Sequence, residues 1–345
     1  MPRSIYNPAT VVAVFAVWLA QFGWSQEVIK SPEVEVNQTN LVECAIQNAK
    51  SLLSGDVLIF RDETFDNSEI LANGDVSGVL RRVKTTWRVV FDTRRESYCY
   101  YLFQENSVVD FDDEAARDSQ PKTSEDFQYS GACYGGPNTS VFLMINKSRE
   151  SLERQNLSSS NHDFLGLLGF PDPRGLMLGG PLGPIDDVYL STETLPNESS
   201  AGLFVSSISR LGRSIVVTSE NENSGIPDQT VLIKNRYDGL TLMRDSTEIN
   251  FKKKDEPGEI FFERRKYRWR ESEGVFVPAL VTEKQKQSLK FEERDVAGIN
   301  DTTYRLEWSS INKEVDDRHF TGELLTDQNS IRQQLQQPAS VNAGQ

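Results

Sequence analysis

The chain has 345 residues, with 37 Lys and Arg against 51 Asp and Glu, a formal net charge of -14 and 10% aromatic residues. An acidic surface repels phosphate backbones, which excludes nucleic acid as a natural partner and favours solubility. The cysteines, Cys44, Cys99 and Cys133, form no CxxC pair, and the histidines, His162 and His319, stand far apart, so no metal site is assigned.

The N-terminus carries Arg3, an apolar run from Val11 to Ala20, and Gly23-Trp24-Ser25 before the charged Glu27. That basic, apolar and small-residue order predicts a signal peptide over 1–25, cleaved after Ser25. The apolar run of about ten residues is shorter than the roughly 20 a membrane-crossing helix needs. No second long apolar stretch follows, so the mature chain is expected to lack a transmembrane segment and to reach the periplasm or the extracellular space. Such a compartment permits disulfides. Cys99 and Cys133 both flank β-like aromatic segments whereas Cys44 falls on a predicted helix, so Cys99 with Cys133 is the expected pair, with three free buried thiols as the alternative.

Leu41, Ala45, Ala49 and Leu52-Leu53 recur at helical spacing, which predicts an amphipathic helix over 38–54 with Thr39 or Asn40 as its cap. Gly55 ends it, and a strand starts at Asp56-Val57-Leu58-Ile59-Phe60. The period then changes to two. Trp87, Val89 and Phe91 alternate ahead of a turn at 92–95, and 97–103 return as an aromatic strand. Further hairpins are predicted from 204–209 with 214–219, from 231–235 with 240–244, and from 259–270 with 275–282. In the last of these Phe261, Tyr267 and Trp269 share one face, and Arg264, Lys266, Arg268 and Arg270 the other, so one face is wet. Leu289 and Phe291 then pair as a separate strand with Tyr304, Leu306 and Trp308. A loop over 312–320 and a closing helix over 324–335 complete the pattern.

Two stretches are irregular. Asp110 to Ser130 is acidic and reads as an exposed loop, in which Asp110, Asp112, Asp113 and Glu114 lack the spacing of a calcium loop. Residues 157–184 combine apolar side chains with many Gly and Pro, which suggests an ordered loop tucked against the protein or over a cavity. Phe164, Leu168, Phe170, Leu176 and Met177 are its lid candidates. No Walker loop or strand-GxGxxG-helix order occurs, so no cofactor is assigned, and no serine sits in a Gly-x-Ser-x-Gly elbow, so no catalytic residue is assigned.

The amphipathic helix, "LLSGDVLIF", the long hairpins, "YRWRESEGVFVPALV" and "YRLEWSSINKEVDDRHF" together resemble the bacterial periplasmic lipoprotein-carrier (LolA-like) half-barrel superfamily. They are also similar to large secreted bacterial proteins of uncharacterised function that share a late tryptophan hairpin followed by Gly-x-x-x-Pro. The resemblance covers 38–60 and 259–320; the extra length falls between Asn106 and Pro196, and no individual ligand-binding residue of the carriers is matched. It implies an α+β, mainly antiparallel fold: a curved open sheet, or half-barrel, packed on an N-terminal amphipathic helix and a short C-terminal helix. The expected organisation is one β-rich domain over 26–335, with insertions near 105–135 and 157–200, and a disordered tail over 336–345.

The function this implies is an exported, non-enzymatic protein binding a lipid or another hydrophobic small molecule on the concave face. Trp87, Val89, Phe91, Tyr267, Trp269, Val275, Val277 and Trp308 are the expected lining. The rival reading is an envelope-associated interaction protein with a solid core. A third is a hydrolase without a recognisable motif, which two carboxylates, or a serine with His162, meeting in one cleft would reveal.

Overall fold

The computed structural model describes residues 38–66, 69–70, 76–110, 123–136, 139–146, 148–153, 169–180, 182, 204–221, 229–253, 259–291 and 294–336. The signal peptide, His162, Phe164, Leu168 and the acidic run at 111–122 lie outside the described residues.

After helix α1 (Gln38–Ser51) come β1 (Ser54–Asp66), the short β2 (Glu69–Ile70) and β3 (Val76–Ser77), β4 (Val79–Asp92), β5 (Ser97–Asp110), β6 (Thr123–Tyr134), β7 (Ser140–Ile145) and β8 (Ser148–Glu153). A five-residue helix, α2 (Pro173–Met177), precedes β9 (Phe204–Leu211), β10 (Ser214–Asn221), β11 (Gln229–Asp238), β12 (Arg244–Lys253), β13 (Glu259–Ser272), β14 (Val275–Phe291), β15 (Arg294–Ile311) and helix α3 (Gln328–Gln336). Among the described residues all strands join one 15-stranded sheet in the order β8-β7-β6-β5-β4-β1-β15-β14-β13-β12-β11-β10-β9, with β2 paired to β15 and β3 to β2. Every pairing is antiparallel. Two meanders therefore run outward from β1, which sits between β4 and β15, and the sheet is open, with β8 and β9 at its edges.

The inner face is covered along its middle, and the outer face over β4–β7, while Arg264, Lys266, Arg268 and Arg270 on the outer side of β13 are exposed. On the inner face, Val57, Ile59, Val89, Phe91, Val277 and Trp308 pack against Ala49 and Leu52 of α1 and against Phe170, Leu176 and Met177 around α2. On the outer face, Val90, Cys99, Tyr101, Cys133 and Met144 pack under the C-terminal segment through Val315, Phe320, Leu325 and Ile331. The segment 170–180 bridges strands five places apart in the sheet order, meeting β5 through Phe170 on Tyr98 and β13 through Gly179 on Arg265.

Several expectations need correcting. The stretch Asp110 to Ser130 is not all loop: β6 starts at Thr123, and Phe127 stacks on Phe103 of β5 with ring centroids 6.0 Å apart. Its acidic residues hide a strand whose aromatics are spaced by two. Residues 240–243 form a turn instead of a strand, because the Asp238 carboxylate accepts from the amides of Leu240 (2.8 Å) and Thr241 (2.9 Å). Leu289 and Phe291 belong to the same 17-residue strand, β14, as Val275 and Val277. Thr39 and Asn40 lie inside α1, not at its cap.

Candidate functional site

On the inner face, alternation brings Val57 and Ile59 inward on β1, opposite Val89 and Trp87 on β4 and opposite Trp308 and Leu306 on β15. Seven of the eight expected lining residues, Trp87, Val89, Phe91, Tyr267, Val275, Val277 and Trp308, are buried in one apolar cluster, and Trp269 packs against it half-buried. Two of the indoles have partners: Trp308 Nε1 donates to the Pro278 carbonyl at 3.0 Å and Trp269 Nε1 to the Arg244 carbonyl at 2.7 Å. Tyr267 and Trp269 stack with centroids 5.8 Å apart.

Over this wall lies the segment 169–180. Phe170 meets Tyr98 edge-on at 5.1 Å and an interplanar angle of 71°, and Leu176 and Met177 are buried. Pro173 at the first helical turn and Asp172 as its cap explain why so short a helix forms, since the Asp172 carboxylate accepts from the Arg174 amide at 2.9 Å. The Arg174 guanidinium returns to the same carboxylate (Nε to Oδ1 3.0 Å, Nη2 to Oδ2 2.5 Å) and lies over the Phe91 ring at 5.7 Å. The far end is held by Arg265 of β13, whose Nη1 donates to the carbonyls of Gly179 (2.5 Å) and Gly180 (3.2 Å). Gly179 has φ +83°, and a Cβ there would stand 1.9 Å from Arg244 Nη1, so no other residue fits without displacing that side chain. Phe170, Leu176 and Met177 thus sit directly on the predicted lining.

Further along the strands the inner face becomes polar. After Val57 and Ile59 the next inward positions on β1 are Arg61 and Glu63, opposite Tyr304 and Thr302 of β15. Beyond them Val281 and Glu283 of β14 face Tyr267 and Arg265 of β13. Arg61 pairs with Glu63, and Arg265 Nη2 reaches Glu263 at 3.1 Å and Glu283 at 2.9 Å. Gln285 Nε2 donates to Glu283 (2.6 Å) and Glu263 (3.3 Å). Two carboxylates therefore meet here, bridged by one guanidinium and one amide. Burial pushes the Glu283 carboxyl up, with Arg265 opposing and Glu263 adding. Burial also pulls Arg61 down, against the fields of Tyr304 and Glu283. Burial raises the Tyr304 hydroxyl, with Arg61 and Arg265 opposing and Glu283 adding. The sequence reading missed this belt. Its signal was present, since Arg61, Glu63, Arg265 and Glu283 continue the inward parity of their apolar neighbours.

The outer face holds a cleft of about 490 Å³ lined by Arg95, Ser97, Gly135, Phe142, Asp317, Phe320 and neighbouring residues, with Arg95 and Asp317 already paired. Cys99 and Cys133 stand in register on β5 and β6, both buried and both free thiols. Among the described residues no group of three or more His, Cys, Asp and Glu is arranged to hold a metal ion, and no helix is long and apolar enough to cross a membrane.

No family model matches the chain, and no curated protein matches it. Among solved structures, a DUF1329 family protein from Desulfovibrio piger aligns with a TM-score of 0.31 and 10% identity over 83% of this chain and 98% of that one. A LolA superfamily protein from Nitrosomonas europaea aligns with a TM-score of 0.31 and 9% identity over 84% and 99%. The chain is similar to LolA superfamily structures. A domain from Vibrio parahaemolyticus described as an outer membrane lipoprotein-sorting protein gives the same figures, 0.31 and 9% over 84% and 99%.

Proposed function

We propose that this protein is an exported, non-enzymatic carrier that takes a lipid or another hydrophobic small molecule onto the inner face of its curved sheet, beneath the segment 169–180. The observation that carries the reading is the form of the cover. A wall of aromatic and branched side chains from β4, β5, β14 and β15 is closed by a five-residue helix and its flanks, held by Arg174 over the Phe91 ring and by Arg265 at the other end. A second sheet layer could not leave; a short strap can. Phe170, Leu176 and Met177 occupy the place a ligand chain would take, at about 1.5–3 kcal/mol of burial each, and a ligand burying comparable area offsets their release.

Export is supported by the basic, apolar and small-residue order of residues 3–25, with cleavage after Ser25. The rival reading, an envelope interaction protein, takes the same packing as permanent. Protein purified from its native compartment and extracted with organic solvent is the test. The carrier reading expects lipid released in near-stoichiometric amount, identified by mass spectrometry. It fails when nothing is released and the stripped protein takes up no lipid.

A further inference from the structure

The polar belt has hydrogen-bond donors left over. Arg61 Nε, Thr85 Oγ1, Arg265 Nε and the Tyr267 hydroxyl are buried and make no well-aligned hydrogen bond, although the Tyr267 hydroxyl lies against the Arg244 and Arg265 guanidiniums and the acceptor Glu63 Oε2 meets only its ion-pair partner Arg61. All four belong to the inner face: Thr85 is directly opposite Arg61 in the β1–β4 register, and Tyr267 lies one inward position from Arg265 on β13. Thr85 is 2% and Tyr267 8% exposed, so bulk solvent does not reach them. Buried donors of this kind carry the full desolvation penalty of the group, and each calls for an explanation.

What is missing is acceptors and not charge. Glu63 answers Arg61, and Glu263 and Glu283 answer Arg265, so three carboxylates already outnumber these two guanidiniums. An anionic head group would add to that excess, and repulsion from the three carboxylates would oppose it. A neutral head group with carbonyl and hydroxyl oxygens adds only the missing acceptors. Directly beside the belt lie Trp87, Leu306 and Val281, where an acyl chain would continue.

We propose that the belt of Arg61, Thr85, Arg265 and Tyr267 receives the uncharged, ester- and hydroxyl-bearing head of an acylglycerol-like amphiphile whose chain lies on the apolar half of the inner face. This rests on the carrier reading above and gives it a head-group preference. Arg265 also holds the Gly179 and Gly180 carbonyls, so a head group seated there competes with the strap for one guanidinium.

The test is displacement of a fluorescent hydrophobic probe from the full mature chain by monopalmitoylglycerol and by palmitate, which share one acyl chain. The inference expects the ester to bind roughly tenfold or more tightly, the worth of one or two hydrogen bonds. T85V and Y267F are each expected to shrink the palmitate-to-ester ratio of dissociation constants by roughly fivefold. T85V is not expected to lower the Tm of the ligand-free protein, because removing an unpartnered buried hydroxyl relieves a penalty; a merely structural hydroxyl would cost stability. Equal affinities, or a preference for palmitate, overturn the head-group assignment and leave the carrier reading standing. Failure of the probe and both amphiphiles to bind overturns the carrier reading itself.

Discussion

Truncating Phe170 to Ala separates a strap that opens by itself from an ordinary piece of core. Phe170 is 2% exposed and meets Tyr98 at 5.1 Å and Tyr100 at 6.4 Å between ring centroids. Removing a buried phenyl costs about 3–5 kcal/mol, and that cost falls on whichever cooperative unit contains the ring. If 169–180 opens as its own unit, the open population rises roughly 10²–10⁴-fold while the sheet keeps its stability. Limited proteolysis, run so that opening is faster than cleavage, reads that population directly. Urea unfolding followed by far-UV circular dichroism reads the sheet. The expected result is a rise of about 10² in cleavage within 169–180, a change of under about 1 kcal/mol in the sheet, and stronger uptake of a hydrophobic probe. A loss of the full amount in the urea transition, without selective cleavage, refutes the reasoning and makes the inner face a solid core.

Three further outcomes are expected. Burial pulls the His319 pKa down to about 4, with Arg88 adding, while the Tyr101 hydroxyl stands 2.9 Å from its Nδ1. The folded state then binds fewer protons than the unfolded one, so stability is full above the unfolded pKa of about 6.5 and falls by about 3 kcal/mol as the pH drops to about 4; urea midpoints across that range should show the slope, and His319→Gln should flatten it. Arg88 makes a bidentate pair with Asp56 (3.0 and 2.8 Å) and donates to Gln334 Oε1 at 2.8 Å, so Arg88→Ala strands a buried carboxylate, costs about 3–5 kcal/mol, and frees α3, which amide exchange over 328–336 would register. Cys99 and Cys133, in register across β5 and β6, are proposed to close a disulfide in the exported protein; oxidised samples should lose two titratable thiols and gain about 4 kcal/mol over a reduced C99S/C133S variant, for a loop of roughly 35 residues.

Most of the hairpins were legible because the physics that makes them is local. Trp87, Val89 and Phe91 alternate ahead of a short turn, and Glu273 (φ 51°) with Gly274 (φ 74°) supply the left-handed turn between β13 and β14. The strand order was not legible. Nothing in Val57 to Phe60 states that β1 pairs with both β4 and β15, since those partners lie near and far in the chain and are chosen by the packing of whole faces. The strap was read as an ordered apolar loop, but its helix was not, because Asp172 and Pro173 mark only one short turn among glycines. The polar belt escaped for a different reason: Arg61, Glu63 and Arg265 are the residue types of a wet outer face, and only their parity places them inside.

The central claim is that the strap and a ligand share one face, and hydrogen–deuterium exchange with and without a saturating acylglycerol tests it most directly. The account predicts that exchange over 169–180 rises on binding while β4, β5 and β15 keep or gain protection. Unchanged or increased protection of 169–180, with the ligand demonstrably bound, would contradict it.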